Sequence, residues 1–165
     1  MAKKSIELNN LQKRFEIINE DLKKLSKIFP ANSFDAVVTN PPYKSKNTGL
    51  ENENKFQLIS RHEVLCTIDD IARESARLLN SNKSIYMVHR PDRLADIIQA
   101  LKKYKLEPKK IRFVYPNVNK EANLVLIKAT KNAKSFLKME KPLFIYNEDG
   151  TYTKEIIKIY NKEIK

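Results

Sequence analysis

A short apolar run that ends in two prolines constrains the fold of this chain most. Residues 34–38, FDAVV, have the nearly continuous apolar character of a strand covered on both faces of a sheet. Asn40, Pro41, Pro42 and Tyr43 follow this run, and neither proline has an N–H to donate to a sheet ladder. The strand must therefore end here, with an amide before the prolines and an aromatic ring after them. This arrangement predicts that the strand end presents these groups to a ligand.

Strand-like and helix-like apolar patterns alternate along the chain as far as residue 104, and two strands then follow each other. This order predicts an α/β fold with a mostly parallel sheet and an antiparallel hairpin at one edge. The predicted strands are 15–19, 34–38, 84–89, 110–115, 123–130 and a further candidate at 143–147. Residues 2–9 have the pattern of a helix end, and a last amphipathic helix lies around Ile156.

Three local signals mark where helices begin and end. Thr67 and Asp70 have the spacing of a capping box at a helix start. The NSNK segment after Leu79 breaks that helix, since Asn adopts the left-handed conformation more readily than most residues. Pro91 fits the first position of the next helix, where its missing N–H costs nothing.

Composition narrows the class of protein. At 165 residues the chain is long enough for one domain with a real core. A net charge of +12 favours a polyanionic partner, nucleic acid above all, although an AT-rich genome would give the same excess of lysine. One cysteine suits a reducing cytosol, and the sequence has neither a secretory signal nor a metal-binding cluster. We therefore expect a cytoplasmic protein without a metal site.

The Asn-Pro-Pro-Tyr segment suits the binding of an amino group on a conjugated system. Such an amine is a poor nucleophile because its lone pair is delocalised. The side-chain oxygen of Asn40 and the backbone carbonyl of Pro41 could accept its two N–H bonds, and Tyr43 could stack on a planar target. The alternative is a proline-rich turn that merely ends a strand.

These residues carry a resemblance to a known family. FDAVVTNPPY resembles the motif of class I S-adenosylmethionine-dependent amino methyltransferases, and the remaining stretches resemble the bacterial tRNA adenine-N6 methyltransferases that modify the adenine after the anticodon of a valine tRNA. The resemblance runs from residue 1 to residue 165 and includes SRHEVLCTIDDIARESARLL, YMVHRPDRLADII, KYKLEPKKIRFVYP, KEANLVLIKA and YNEDGTYTKEI.

The resemblance implies a Rossmann-like sheet, S-adenosyl-L-methionine as cofactor and tRNA as substrate. By the same resemblance, the catalytic residues that hold the target amine are Asn40, Pro41, Pro42 and Tyr43. Asp21, Leu22 and Asn40 would then lie near the cofactor. Candidate RNA contacts near the site are Lys44, Lys46, Arg61, His62 and Arg90.

The chain departs from this family at its beginning. It has only two glycines, Gly49 and Gly150, and neither belongs to the glycine-rich loop that approaches the cofactor. The resemblance therefore implies that residues 1–165 are a single incomplete methyltransferase domain, truncated at the N-terminus and lacking the first two strands. Exposed sheet edges would favour self-association, and the cofactor site would be incomplete.

Other interpretations remain open at this point. The same motif serves methyltransferases of DNA adenine and of protein glutamine. A non-catalytic remnant that binds RNA through its basic face is a third possibility. The lysine-rich segment 102–112 could hold phosphates or could equally be a solvated helix end. We expect His62 to position substrate rather than act as a base, and His89 to be structural.

Overall fold

Six strands form one sheet in the computed structural model, which describes residues 2–41 and 66–161. The strands are β1 (Phe34–Thr39), β2 (Leu79–His89), β3 (Leu106–Tyr115), β4 (Leu124–Lys131), β5 (Lys138–Met139) and β6 (Leu143–Phe144). The α-helices are α1 (Ala2–Leu8), α2 (Ile68–Leu78), α3 (Leu94–Lys103) and α4 (Lys154–Asn161), and Leu22–Lys27 and Pro91–Arg93 form 3₁₀ helices. No helix within the described ranges is long and apolar enough to span a bilayer.

The strand directions bring several strand ends to one edge of the sheet. The order is β1-β2-β4-β3-β5, and β6 also pairs with β3. β1 is parallel to β2, β4 is antiparallel to both β2 and β3, and β5 and β6 are parallel to β3. Of the six described strands, only β4 therefore runs the other way, which confirms the predicted α/β fold. We call the edge at which β1, β2, β3 and β6 end the carboxyl edge.

The main hydrophobic core lies between one face of the sheet and helices α2 and α3. Alternate strand residues point to this face, and the apolar stripes of the two helices cover it. The largest side chains that are almost fully buried in this core are Leu79, Ile85, Ile97, Leu101, Leu106, Ile111 and Val125. This core fixes the positions of the strand ends at the carboxyl edge.

The opposite face of the sheet is exposed at Val38 of β1 and Tyr86 of β2, whereas near the end of β3 the last elements of the chain cover part of it. We define this open face by Val38, Tyr86, Lys110, Arg112 and Lys128, which alternate with core residues along their strands. Val38 is 82% exposed. The expectation that strand 34–38 is covered on both faces is therefore wrong for the described residues, because α2 and α3 both pack on the core face.

The predicted strand at 15–19 is also wrong. Residues 15–21 have no regular secondary structure, and Phe15 and Ile18 are exposed. A strand needs a neighbour for its N–H and C=O groups, and among the described residues β1 pairs only with β2. The apolar pattern alone thus does not produce a strand here.

Two of the three local signals are confirmed, and the third, the NSNK break, is not. Thr67 caps α2 through a reciprocal capping box, in which its N–H donates to Asp70 Oδ2 at 3.0 Å. α2 ends at Leu78 before an extended Leu79, and the NSNK segment lies within β2, so Asn82, at φ 63°, is a left-handed residue of the strand rather than the end of the helix. Pro91 begins the 3₁₀ turn that leads directly into α3. Cys66 is half-buried just before α2.

A small second core joins the last elements to the sheet. Val114, Leu143 and Ile156 are buried together, and they connect β3, β6 and α4. Arg112 reinforces this connection, because its guanidinium donates to the carbonyl of Lys141 at 2.9 Å and pairs with Glu155 at 2.7 Å. The candidate strand at 143–147 is shorter than predicted, since only Leu143–Phe144 pairs with β3.

Candidate functional site

Asn40 and Pro41 leave β1 at the carboxyl edge. Thr39, the last residue of β1, pairs with Met87 of β2, so the next two residues emerge beside the end of β2. Asn40 is exposed and Pro41 is buried. The Asn40 side chain is thus accessible at the carboxyl edge, next to a proline that is packed into the structure. Pro42 and Tyr43 lie outside the described residues, as do the predicted RNA contacts Lys44, Lys46, Arg61 and His62.

The end of β2 contributes a buried imidazole and an exposed cation. His89 is buried, and its Nδ1 accepts the backbone N–H of Arg90 at 2.8 Å. Burial lowers the pKa of His89, which favours the neutral ring and agrees with a structural role. The exposed Arg90 guanidinium lies 3.2 Å from Asp92. Of the predicted RNA contacts, Arg90 is therefore the one that the structure places at the carboxyl edge.

The Asp21 segment reaches the same edge through α2. A helix that follows β1 and precedes the parallel strand β2 runs back along the sheet, so its N-terminus lies at the carboxyl edge. Lys23 contacts Asp70 in the first turn of α2, with 3.5 Å between Nζ and Oδ2. Asp21 caps the 3₁₀ helix by accepting the N–H of Lys23 at 2.9 Å. Asp21 is exposed, whereas Leu22 is half-buried against the main core.

Asp70 is the residue that the sequence did not single out as part of this site. Its burial opposes ionisation, but hydrogen bonds from the Thr67 N–H and hydroxyl and from Arg73, together with the charge of Lys23, lower its pKa to about 2. Asp70 is therefore ionised near neutral pH. It holds the start of α2 and the Asp21 segment together. The capping-box signal located this residue but not its contact with Lys23.

A concavity of about 570 Å³ extends from Asn40 across the open face. Its walls combine apolar side chains with Lys110, Arg112 and Lys128. Because it lies on the face of the sheet rather than beyond the strand ends, it does not by itself define the site at Asn40.

The lysine-rich segment 102–112 is largely used within the fold. Four of its basic residues pair with carboxylates, which favours the alternative of a solvated surface over phosphate binding for them. The pairs are Lys102–Glu107, Lys103–Asp69, Lys110–Glu140 and Arg112–Glu155, at 3.8, 2.8, 2.8 and 2.7 Å.

The described residues fit the adenosine moiety of the cofactor better than its methionine moiety. Asp21 offers an exposed carboxylate at the carboxyl edge, which suits the amine or hydroxyl donors of an adenosine. In the described ranges Gly150 is the only glycine, and it lies in the 147–151 turn. No glycine backbone is therefore placed for close approach to a methionine moiety within those ranges.

Sequence comparison confirms the resemblance described above. The tRNA1(Val) (adenine(37)-N6)-methyltransferase of Photobacterium profundum is 23% identical over 140 residues. The match covers 85% of this chain and 57% of that relative, so the chain spans little more than half of the relative's length. No protein-family model matches the chain.

Structure comparison shows the fold. A predicted O-methyltransferase from Agrobacterium tumefaciens superimposes with a TM-score of 0.75 at 20% identity, covering 97% of this chain and 70% of the other. A putative DNA modification methylase from Thermus thermophilus, solved in complex with S-adenosyl-L-methionine, superimposes with a TM-score of 0.50 at 20% identity, covering 82% and 61%. The chain therefore has the Rossmann-like methyltransferase fold.

Proposed function

We propose that this chain, similar in sequence to a tRNA adenine-N6 methyltransferase and sharing the methyltransferase fold, acts in methyl transfer to the exocyclic N6 amine of an adenine in cytoplasmic tRNA. The observation that supports this best is the position of Asn40 and Pro41. They leave a parallel strand at the carboxyl edge, which is where open α/β sheets bind their ligands.

The proposed chemistry assigns a separate role to each residue of the motif. Asn40 Oδ1 and the Pro41 carbonyl accept the two N–H bonds of the adenine amine and orient its lone pair toward the methyl group. Tyr43 stacks on the adenine, and Pro42 adds no N–H that would compete for the two acceptors. These hydrogen bonds strengthen as positive charge develops on the nitrogen, so they favour the transition state over the ground state.

S-Adenosyl-L-methionine, when bound, supplies an electrophilic sulfonium methyl group. In this proposal Asp21 and Leu22 flank its adenine, and Asn40 borders both ligands. The segment that carries Asp21 is held at the carboxyl edge by the Lys23–Asp70 contact. Arg90 and, by proposal, Lys44, Lys46, Arg61 and His62 bind the RNA around the target base.

The first experiment is a calorimetric titration of S-adenosyl-L-methionine into the 165-residue chain, followed by methyl transfer to a valine tRNA transcript. Asn40→Ala should abolish transfer and leave the fold intact. Asn80→Ala is the matched control, because Asn80 is an amide at the other end of β2 whose contact to Asp35 is long, at 3.4 Å. Full activity of Asn40→Ala would refute the assignment of this amide.

Three other functions can be tested with the same preparation of the protein. The likeness to a putative DNA modification methylase makes DNA adenine a second candidate substrate, and a protein glutamine is a further one. Transfer to DNA or to a release factor, but not to tRNA, would replace the proposal. RNA binding that weakens with salt, without any binding of S-adenosyl-L-methionine, would instead indicate a non-catalytic RNA-binding protein.

Self-association through the sheet is a separate proposal about partners. In the described structure β1 pairs on one side only, and the adjacent open face exposes Val38 and Tyr86. Sedimentation over a range of protein concentrations measures it directly. A monomer at every concentration would refute it.

A further inference from the structure

Three tyrosines at the end of the chain form an exposed aromatic surface, which we call the tyrosine cluster. Tyr146 and Tyr152 face each other across the turn after β6, with ring centroids 5.1 Å apart and planes 23° apart. The ring of Tyr160 on α4 lies 6.5 Å from that of Tyr152. Their exposed fractions are 39%, 51% and 60%, respectively. Burial in the second core therefore does not account for these rings.

The tyrosine cluster lies at the same edge of the sheet as Asn40. β6 pairs in parallel with the end of β3, and the backbone N–H of Tyr146 donates to the carbonyl of Pro116, just beyond β3, at 2.8 Å. From β1 to β6 the sheet order takes four strand spacings, through β2, β4 and β3. At about 4.8 Å per spacing the separation across the sheet is about 19 Å. This is the length of about five or six stacked nucleotides.

Two of the carboxylates near these rings already have partners within the fold. The carboxylate of Asp149 accepts the backbone N–H and the hydroxyl of Thr151, which closes the turn. Glu155 pairs with Arg112. Lys154 and Lys158 are exposed on α4, and Glu148 is exposed in the turn between Tyr146 and Tyr152. Arg112, Lys154 and Lys158 balance the three carboxylates of this region, so the net charge of +12 of the whole chain is what favours the approach of a polyanion to the rings.

We propose that the tyrosine cluster binds an unpaired base of the RNA substrate by stacking, about 19 Å across the sheet from the adenine held at Asn40. This inference rests on the proposed function, because it takes tRNA as the substrate. Single-stranded RNA loops are recognised chiefly by aromatic side chains that stack on splayed bases. A target adenine presented to Asn40 must itself be unpaired, so its neighbours in the loop are accessible to a second aromatic site. The cluster would hold the loop in register with the amine site.

The test compares binding of a fluorescein-labelled valine-tRNA anticodon hairpin with binding of its stem alone, closed into a duplex. Tyr152→Leu keeps an apolar side chain but removes the ring, and it should raise the hairpin Kd about 5- to 150-fold. Tyr152→Phe should bind like the wild type. Phe136→Leu is the control, because it removes an exposed aromatic ring from the segment between β4 and β5, at the opposite edge.

Each outcome decides the inference. Loss of hairpin affinity in Tyr152→Leu, with duplex affinity and melting temperature unchanged, supports it. Equal hairpin affinity of Tyr152→Leu and wild type overturns it and leaves the proposed function standing, whereas no RNA binding by the wild type overturns both. A change in oligomeric state without a change in RNA affinity assigns the rings to self-association and also overturns it. Ultraviolet crosslinking of the wild-type chain to the hairpin, mapped to residues 146–160, checks the result without any variant.

Discussion

Replacing Asp70 with Asn tests whether the negative charge of this carboxylate stabilises the folded chain at the carboxyl edge. The carboxylate accepts hydrogen bonds from Thr67 and Arg73, at 2.9 and 2.7 Å, and lies 3.5 Å from Lys23. Its pKa is about 2, against an ordinary value of 3.8. At about 1.36 kcal/mol per pKa unit this difference corresponds to about 2 kcal/mol. Solvent screening reduces the figure, so we expect Asp70→Asn to cost about 1–2 kcal/mol near neutral pH.

The pH dependence of this loss has a defined sign. Since the folded-state pKa lies below the ordinary value, the ionised carboxylate stabilises the folded chain at pH values above about 4. That contribution disappears as the pH falls through about 2. The difference in free energy of unfolding between wild type and Asp70→Asn should therefore be constant from about pH 7 to 5 and shrink below about pH 4.

Urea unfolding at several pH values, followed by circular dichroism, measures this difference. Asp35→Asn is the matched control, because Asp35 also pairs with a lysine, Lys83 at 3.1 Å, but its side chain is 75% exposed. The control should leave the unfolding midpoint almost unchanged. Equal midpoints for Asp70→Asn and wild type at neutral pH would refute the account, and so would a difference that persists undiminished at about pH 2.

Three further perturbations test other parts of the structure. Leu101→Ala should lower the free energy of unfolding in urea by about 2–5 kcal/mol, because Leu101 is almost fully buried in the main core. Tyr104→Phe removes the 2.6 Å hydrogen bond to Asp69 and should cost about 1 kcal/mol in the same assay. Burial lowers the pKa of His89, so thermal stability should fall as the pH drops below about 6.5, and His89→Leu should weaken that dependence. An unchanged pH profile in His89→Leu would assign the dependence to other groups.

The sequence was sufficient to predict the elements whose signals are local. The capping box of Thr67 and Asp70 depends on residues three apart, and the stop at Pro41 follows from a missing N–H. Both appear in the structure where the pattern places them. The α/β fold also follows from the order of the patterns, because alternating strands and helices favour parallel pairing.

The features that the sequence did not predict correctly depend on contacts with residues that are distant in sequence. FEIIN at 15–19 has strand-like composition, yet a strand forms only where another strand offers its N–H and C=O groups. The exposure of Val38 has the same cause, since the apolar pattern of 34–38 does not state which face a helix covers. The Lys23–Asp70 contact joins residues far apart in sequence, and no periodicity reports it. The predicted roles of the motif residues stay predictions until the assays above are made.

β4 sets the distance between the two segments that we propose bind one substrate. Because β4 is antiparallel, it adds nothing to the carboxyl edge but widens the sheet between β2 and β3 by one strand. Without β4 the spacing from β1 to β6 would be about 14 Å, and with it the spacing is about 19 Å. Asn40 and the tyrosine cluster are thus held apart by hydrogen-bonded strands rather than by a loop. A rigid spacing of this kind would select RNA loops in which the unpaired target adenine and a second unpaired base lie a matching distance apart.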